Sequence, residues 1–286
     1  MSGDAGERLS GGYPIERRAG EIERLRAQAA AVAGDAGVML DRIGVGPGWR
    51  CLDLGAGAGG ILDLLSARAG PAGRVVGLDA DATLLAAARA WLARQGRLGN
   101  VRLVVSDAYR PGVRDGSFDL VHVRFLASTA GLPEALIAAA LALVRPGGVL
   151  AFQEPDTTTM SCHPPHPAWD RLKDALQQAF EAVGGDTRLG QRLYRLVCGA
   201  GLADVQYRPF LIGVRSGQPL ADLLPATAES LRGTILGRGI LGEAELARAL
   251  AACRAHLADP LTVSTTFLTV QVWGRKPGGP GAEPAP

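Results

Sequence analysis

The fold of this chain is decided by the stretch Cys51-Leu52-Asp53-Leu54-Gly55-Ala56-Gly57-Ala58-Gly59-Gly60. An apolar, strand-like segment ending at Leu54 meets three alternating glycines, and a helix-like segment over 61–69 follows at once. Glycine lets the backbone turn sharply and approach a ligand that a Cβ atom would push away. The turn leads into a helix N-terminus, whose free N–H groups attract negative charge. The stretch therefore predicts a loop that binds a nucleotide cofactor.

The spacing of these glycines fits two cofactor motifs. Gly55, Gly57 and Gly60 match the dinucleotide fingerprint G-x-G-x-x-G. Asp79 follows about 20 residues later, as that fingerprint also requires. The same run also matches the motif D-x-G-x-G-x-G, in which Asp53 is the acid and Gly55, Gly57 and Gly59 are the glycines. The loop alone is therefore compatible with an NAD(P)-dependent oxidoreductase as well as with a second class of nucleotide-cofactor enzyme.

Later segments decide between the two, because they resemble the class I S-adenosylmethionine (SAM)-dependent methyltransferases in the order that this family has. They are Val101–Ala108, similar to the third strand with its adenine-contacting acid; Phe118–Arg124, similar to the fourth strand; and Val144–Leu150, similar to the turn into the fifth. The resemblance extends over residues 50–155. It implies an α/β fold with a doubly wound, mostly parallel, seven-stranded Rossmann-like sheet whose last strand is antiparallel.

Hydrophobic periodicity gives a coarse map of the chain. Strands are predicted over 50–54, 74–78, 101–105, 118–123, 149–153, 205–213 and 262–274, with helices between them, the first of which spans 59–69. The predicted organisation is an N-terminal tail with cover helices (1–47), a SAM-binding domain (48–275) with helical lid insertions at about 154–187 and 214–260, and a disordered tail (276–286).

The resemblance assigns roles to acids at the strand ends. Asp79 would accept hydrogen bonds from both ribose hydroxyls, since an ionised carboxylate is a strong acceptor; the alternative is that it caps the next helix. Asp107 would accept from the adenine amino group, with Ala108 beside the ring. Asp53 would act on the methionine amine through the glycine loop and water, or would be only an acid at a strand end.

Two further elements would contact the methionine end. Arg24 and Gln28 lie in a pattern E-x-x-R-L-x-x-Q similar to one in some of these enzymes, where Arg24 would pair with the carboxylate; the alternative is a solvated helix face. Val123 and Arg124 would line the floor near the methyl group, unless Arg124 points to solvent. The full predicted set is Tyr13, Arg24, Gln28, Asp53, Gly55, Ala56, Gly57, Gly59, Asp79, Ala80, Asp107, Ala108, Val123 and Arg124.

The candidate catalytic residues are His163, His166 and Glu154. The cofactor of this family is intrinsically electrophilic, so the protein mainly supplies alignment and excludes water. A base is required only where the acceptor must lose a proton. The three candidates lie at or after the fifth strand, near the expected acceptor, although a structural role is open for each. The run from Cys162 to His166 lacks further ligands at metal-binding spacing, so no metal site is predicted.

Composition excludes several classes of function. The formal net charge of the 286 residues is only +2 and no Lys/Arg cluster is present, which argues against a nucleic-acid partner. The four cysteines form no C-x-x-C pair, which is typical of free thiols in a cytosolic protein. No apolar run reaches ~18 residues, so no membrane span is expected. We expect a cytoplasmic protein. The sequence is compatible with a homodimer but does not require one.

These observations together predict a SAM-dependent methyltransferase. Its acceptor would be an O, N or C atom of a small, apolar or aromatic metabolite, as in the ubiquinone/menaquinone-type and natural-product branch that the chain resembles. Three alternatives remain at this point: a SAM-binding cyclase or pericyclase on the same fold, an NAD(P)-dependent oxidoreductase, and a SAM-binding regulator without turnover.

Overall fold

The computed structural model describes residues 20–278. The predicted contact Tyr13 lies outside them, as do the first 19 residues and the tail from 279 onwards.

The strands are β1 Arg50–Leu54, β2 Arg74–Asp79, β3 Val101–Val105, β4 Phe118–Arg124, β5 Val144–Asp156, β6 Ser161–His163, β7 Ala203–Phe210, β8 Gly213–Arg215, β9 Val263–Thr265 and β10 Leu268–Arg275. The helices are α1 Glu21–Ala31, α2 Ala33–Ile43, α3 Leu62–Ala69, α4 Ala82–Arg94, α5 Ala127–Ala130, α6 Pro133–Leu143, α7 Pro167–Glu181, α8 Leu189–Gly199, α9 Leu223–Ser230, α10 Arg232–Gly237 and α11 Glu243–Ala258.

A seven-stranded sheet in the order β3-β2-β1-β4-β5-β10-β7 forms the centre of the fold. Six strands are parallel, and β10 runs antiparallel between β5 and β7. This confirms the predicted mostly parallel sheet with an antiparallel last strand. The strand order reverses between β1 and β4, and ligands of open α/β sheets bind outside the carboxyl ends of the strands at such a point.

A second sheet, in the order β6-β9-β8, was not expected from the sequence. The predicted strand 205–213 divides into β7 and β8, and the predicted strand 262–274 divides into β9 and β10. In each case the two parts join different sheets: β7 and β10 belong to the seven-stranded sheet, whereas β8 and β9 belong to the three-stranded one. Both divisions meet at Thr266, whose N–H donates to the Ile212 carbonyl at 3.0 Å and whose Oγ1 accepts from the Ile212 N–H at 3.1 Å. Extended-chain propensity predicts strands but does not say which sheet they join.

Two apolar cores lie on the faces of the large sheet, and a third joins α7 to α9, α10 and α11. The third core makes these four helices a packed lid beyond the carboxyl end of β5. The four cysteines are unpaired thiols, of which Cys51 and Cys253 are buried.

Lys276 belongs to the fold, although composition places it in the tail predicted to be disordered. Its backbone N–H donates to the Gly148 carbonyl at 2.8 Å, and its carbonyl accepts from Gly147 at 2.9 Å. Its Nζ donates to two carbonyls at the end of α6. The chain after β10 therefore pairs with the turn at Gly147 and Gly148, and the folded part reaches one residue beyond the predicted boundary at 275.

Candidate active site

A cavity of about 740 Å³ opens at the carboxyl ends of β1 to β4, beneath α1 and the lid helices. Its volume lies within the range of roughly 300–1,000 Å³ typical of small-molecule sites. The glycine loop forms part of its wall. A further part is apolar and comes from Met160, Leu176, Phe180, Leu223 and Phe267. One continuous space therefore joins a polar crevice to an apolar chamber.

The glycine loop adopts backbone angles that favour glycine. Gly55, Gly57 and Gly59 have φ values of +83°, +52° and +133°. A Cβ atom on Gly60 would lie 2.3 Å from Asp53 Oδ2, so that glycine is required by packing. A Cβ atom on Gly57 would meet no heavy atom of the described chain within 4 Å. Gly57 therefore faces the open crevice. The positive φ at Gly59 and Gly60 also explains why α3 begins at Leu62 and not at 59.

Asp79 links the end of β2 to this loop. Its Oδ2 accepts from the Gly57 N–H and its Oδ1 from the Asp81 N–H, both at 2.8 Å. Each carboxylate oxygen retains a further acceptor site, and Asp79 lines the cavity. Burial raises the pKa of Asp79, and the two backbone hydrogen bonds offset part of this effect. The cap of α4 is Asp81, whose side chain accepts from the Thr83 N–H. Asp79 is therefore not the helix cap.

Asp53 lies behind the loop and is almost fully buried. Its Oδ1 is 2.7 Å from His122 Nδ1 on β4, and its Oδ2 accepts from the Ile61 N–H at 3.4 Å. A buried carboxylate needs such partners because its desolvation is costly. Asp53 thus fixes the start of α3 against β4 as well as contributing to the cavity wall.

The end of β3 provides the opposite side of the crevice. Asp107 and Ala108 both line the cavity, and Asp107 Oδ1 accepts from the Tyr109 N–H at 2.9 Å. The Tyr109 hydroxyl donates to the Gly131 carbonyl. Burial raises the pKa of Tyr109 to about 12, so this hydroxyl keeps its proton at neutral pH.

Helix α1 covers the crevice. Arg26 Nη2 donates to the Ala87 carbonyl on α4 at 2.8 Å, which holds α1 in place. Arg24 pairs with both oxygens of Glu21, at 2.7 and 2.8 Å, and its Nη1 donates to Gln28 Oε1 at 3.2 Å. Arg24 and Gln28 line the cavity, and the pairing with Glu21 engages Nε and Nη2 of the Arg24 guanidinium.

Arg124 ends β4 on the cavity wall and does not simply point to solvent. Its Nη1 is buried and has no hydrogen-bond partner within residues 20–278. Burial lowers the pKa of this guanidinium, while the charges of Asp53 and Asp63 act in the opposite direction.

Several predicted residues lie away from the cavity. Val123 is fully buried in the core beneath it. His163 is exposed, because β6 carries this segment into the small sheet. His166 caps α7, where its Nδ1 accepts from the Ala168 N–H at 3.2 Å, and its ring stacks on His256 at 4.6 Å. The structure therefore does not bring either candidate histidine to the cavity, and we give neither a catalytic role.

Glu154 is fully buried and supports the cavity wall without lining it. Its carboxylate accepts from the N–H groups of Leu126, Ala127 and Ser128 at 3.0–3.1 Å, at the start of α5. Burial raises the pKa of Glu154 to about 7, and these hydrogen bonds act in the opposite direction. Glu154 is thus a positioning residue for the segment that follows β4.

The apolar chamber could not be assembled from the sequence. Its side chains come from the turn before β6, from α7 and α9, and from the link between β9 and β10. They share no motif; four of them are apolar residues within the insertions predicted to form a lid, and Phe267 lies in the predicted strand 262–274.

Residues 20–278 contain no group of three or more His, Cys, Asp or Glu side chains placed to hold a metal ion. No helix within the same residues has the length and apolarity needed to cross a membrane.

The chain is similar in sequence to known methyltransferases. A family model described as a methyltransferase domain matches residues 51–148. The ubiquinone/menaquinone biosynthesis C-methyltransferase UbiE of Stutzerimonas stutzeri is 36% identical over 125 residues, which are 43% of this chain and 49% of that protein. The chain spans about half the length of the curated relatives it matches.

Solved structures share the fold. Phosphoethanolamine N-methyltransferase 2 of Haemonchus contortus, in complex with phosphomonomethylethanolamine and S-adenosylhomocysteine, aligns with a TM-score of 0.54 at 16% identity, over 85% of this chain and 52% of that one. The [4+2]-cyclase SpnF aligns with a TM-score of 0.57 at 17% identity, over 95% of this chain and 90% of that one. Residues 51–148 thus match a methyltransferase domain, and together with the seven-stranded sheet this match supports a class I SAM-dependent methyltransferase.

Proposed function

We propose that this protein transfers the methyl group of SAM to an O, N or C atom of a small, apolar or aromatic metabolite. The observation that carries the proposal is the continuous cavity that joins the glycine-loop crevice to the apolar chamber. The crevice fits a nucleotide with polar groups along its length, and the chamber fits an apolar or aromatic acceptor.

The order of the strands supports SAM as the ligand of the crevice. Asp107 and the glycine loop come just after β3 and β1, and Asp79 and Arg124 are the last residues of β2 and β4. These four strands are neighbours in the sheet. Neighbouring strands lie about 4.8 Å apart, so these four positions span roughly 14 Å. Adenine, ribose and methionine would therefore lie across successive strand ends.

Each position offers the chemistry that its part of the cofactor requires. The free acceptor sites of Asp79 would take both ribose hydroxyls, and Asp107 would take the adenine amino group. The open face of Gly57 would admit the methionine part close to the backbone. Asp53 would act on the amine through the loop.

The chamber supports an apolar acceptor. Leu176 and Phe180 of α7 face it from the lid, and the rings of Phe125 and Phe267 pack edge to face with centroids 5.5 Å apart. Burial of apolar area contributes about 25 cal/mol per Å², so such walls select apolar surface. SAM supplies an electrophilic methyl group; the chain's part is to align the acceptor and to exclude water.

The proposal is tested in two stages. Calorimetric titration with SAM, S-adenosylhomocysteine (SAH), NAD and NADP should show binding of the first two only, which would also remove the oxidoreductase alternative. Incubation with SAM and a panel of phenols, quinones, amines and enols should then yield SAH and a product heavier by one methylene group. SAH binding without turnover on a broad panel would instead favour a regulator.

A SAM-assisted cyclisation is the second candidate, because the same fold occurs in the [4+2]-cyclase SpnF over 95% of this chain. The residues around the crevice would then hold the cofactor without its being consumed. Mass spectrometry separates the two, since a cyclase forms a product isomeric with its substrate and no SAH.

We further propose a cytoplasmic site of action on a small molecule, without a nucleic-acid partner. The near-neutral net charge and the unpaired cysteines support this. Sedimentation analysis tests the homodimer that we consider compatible with the chain.

A further inference from the structure

Arg124 is an arginine on the cavity wall whose hydrogen-bonding capacity is unused. None of its guanidinium N–H groups donates a hydrogen bond within residues 20–278, and its Nη1 is buried. Its contact with an aromatic ring is loose, since Cζ lies 5.9 Å from the centroid of Phe125. Arg24, by contrast, is bound by both oxygens of Glu21.

The acids near Arg124 are engaged elsewhere or act only at a distance. Asp53 is bonded to His122 and to the N–H of Ile61. Asp63, in the first turn of α3, lines the cavity and forms no ion pair with Arg124 within 4 Å. The negative charges of Asp53 and Asp63 therefore favour the charged form of the Arg124 guanidinium, but neither carboxylate is in hydrogen-bond contact with it.

A buried donor without an acceptor is costly, and more so when it is charged. The planar fork of a guanidinium matches a carboxylate, to which it can donate two parallel hydrogen bonds. An unfilled fork on the wall of a ligand cavity therefore indicates that the ligand provides the carboxylate.

We propose that Arg124 is the receptor for a carboxylate group of a bound ligand. The inference rests on the proposed function, because the carboxylate would belong either to the methionine end of the cofactor or to the acceptor. The position of Arg124 beside the glycine loop, across β1 and β4, favours the methionine carboxylate. This role was predicted for Arg24, which Glu21 already holds.

The first arm of the test uses SAH and 5′-methylthioadenosine, which lacks the amino-acid end, with the variant Arg124→Met. If Arg124 holds the methionine carboxylate, the variant binds SAH roughly 10- to 100-fold more weakly in calorimetry, the factor expected for charge-assisted hydrogen bonds. Its affinity for 5′-methylthioadenosine stays within about two-fold, since that ligand carries no carboxylate.

The second arm examines the acceptor as the source. The protein is saturated with SAH and titrated with benzoate and with its uncharged counterpart benzamide. If the acceptor provides the carboxylate, the wild-type chain prefers benzoate, the Arg124→Met variant loses this preference, and SAH affinity is unchanged. Either pattern supports the receptor role. Unchanged affinity of the variant for SAH, with no preference for benzoate in the wild-type chain, would overturn it.

Folding controls keep the result interpretable. Removing a buried, unpaired cation should leave the melting temperature of the ligand-free Arg124→Met variant equal to or above that of the wild-type chain. Arg124→Lys keeps the charge but not the fork, and should bind SAH with intermediate affinity. Arg171→Met removes an exposed arginine paired with Glu245 and should change no titration. If the wild-type chain itself fails to bind SAH, the proposed function fails; if it binds and Arg124→Met matches it in both arms, only this inference fails.

Discussion

A pair of glycine variants tests the crevice by adding one methyl group inside it and one outside. Gly57 has φ +52° and faces the cavity, whereas Gly116 has φ +60° in an exposed turn. A Cβ atom on either residue would meet no described heavy atom within 4 Å. Gly57→Ala and Gly116→Ala therefore introduce the same backbone strain without a steric clash in the ligand-free protein, and only the first places a methyl group in the crevice.

The magnitudes follow from this geometry. Holding alanine in the left-handed region costs roughly 1–2 kcal/mol. For a chain of this size that corresponds to a loss of about 2–8 °C in melting temperature for both variants. A methyl group forced against a bound ligand costs about 1–3 kcal/mol, as in an overpacked core. Gly57→Ala should therefore weaken SAH binding roughly 5- to 150-fold, while Gly116→Ala should leave it within about two-fold.

The assay combines thermal melting of the ligand-free proteins with calorimetric titration by SAH. Melting shows whether the strain is matched, and titration isolates the effect of the methyl group on the ligand. Equal SAH affinity in the two variants would refute the conclusion that the methionine part approaches the backbone at Gly57.

Three further results are expected. Asp79→Asn should weaken SAH binding roughly 10- to 100-fold, because it replaces a charged acceptor by an amide beside two N–H donors. The control Asp115→Asn, at an exposed position, should leave SAH affinity unchanged in calorimetry. Equal SAH affinities of the two variants would contradict the ribose role of Asp79. Burial raises the Glu154 pKa from 4.5 to about 7, so the folded state holds that proton more tightly than the unfolded state does. The free energy of unfolding of the wild-type chain, relative to Glu154→Gln, should therefore fall by up to about 3 kcal/mol as pH rises from 4.5 to 7; parallel curves in urea unfolding would contradict this. Phe180→Ala should raise the KM of an acceptor found in the panel by roughly 10-fold and leave SAH affinity unchanged, as the loss of apolar chamber wall requires; an altered SAH affinity with the same KM would place Phe180 at the cofactor instead.

The central sheet could be predicted because its signals are local. The strand before the glycine loop, Arg50–Leu54, and the strand Val101–Val105 have the predicted bounds, since short apolar runs end there at glycines or polar residues. The antiparallel position of Leu268–Arg275 followed from the family resemblance and not from periodicity.

The small sheet beside the lid helices could not be predicted in the same way, since strands of three residues such as Ser161–His163 are too short to show an alternating pattern. The histidines illustrate the consequence: their closeness in sequence to β5 suggested the acceptor site, yet the small sheet turns the segment away. For Glu154 the sequence indicated a strand end, and only the tertiary structure shows three backbone N–H groups around its carboxylate. The unfilled fork of Arg124 is likewise a property of its surroundings and not of the sequence around it.

Calorimetric titration of the wild-type chain with SAH, with NAD titrated in parallel, is the most direct test of the proposed cofactor site. We predict saturable binding of one SAH per chain, displaced by SAM, and no heat with NAD. Saturable heat with NAD and none with SAH would contradict the account.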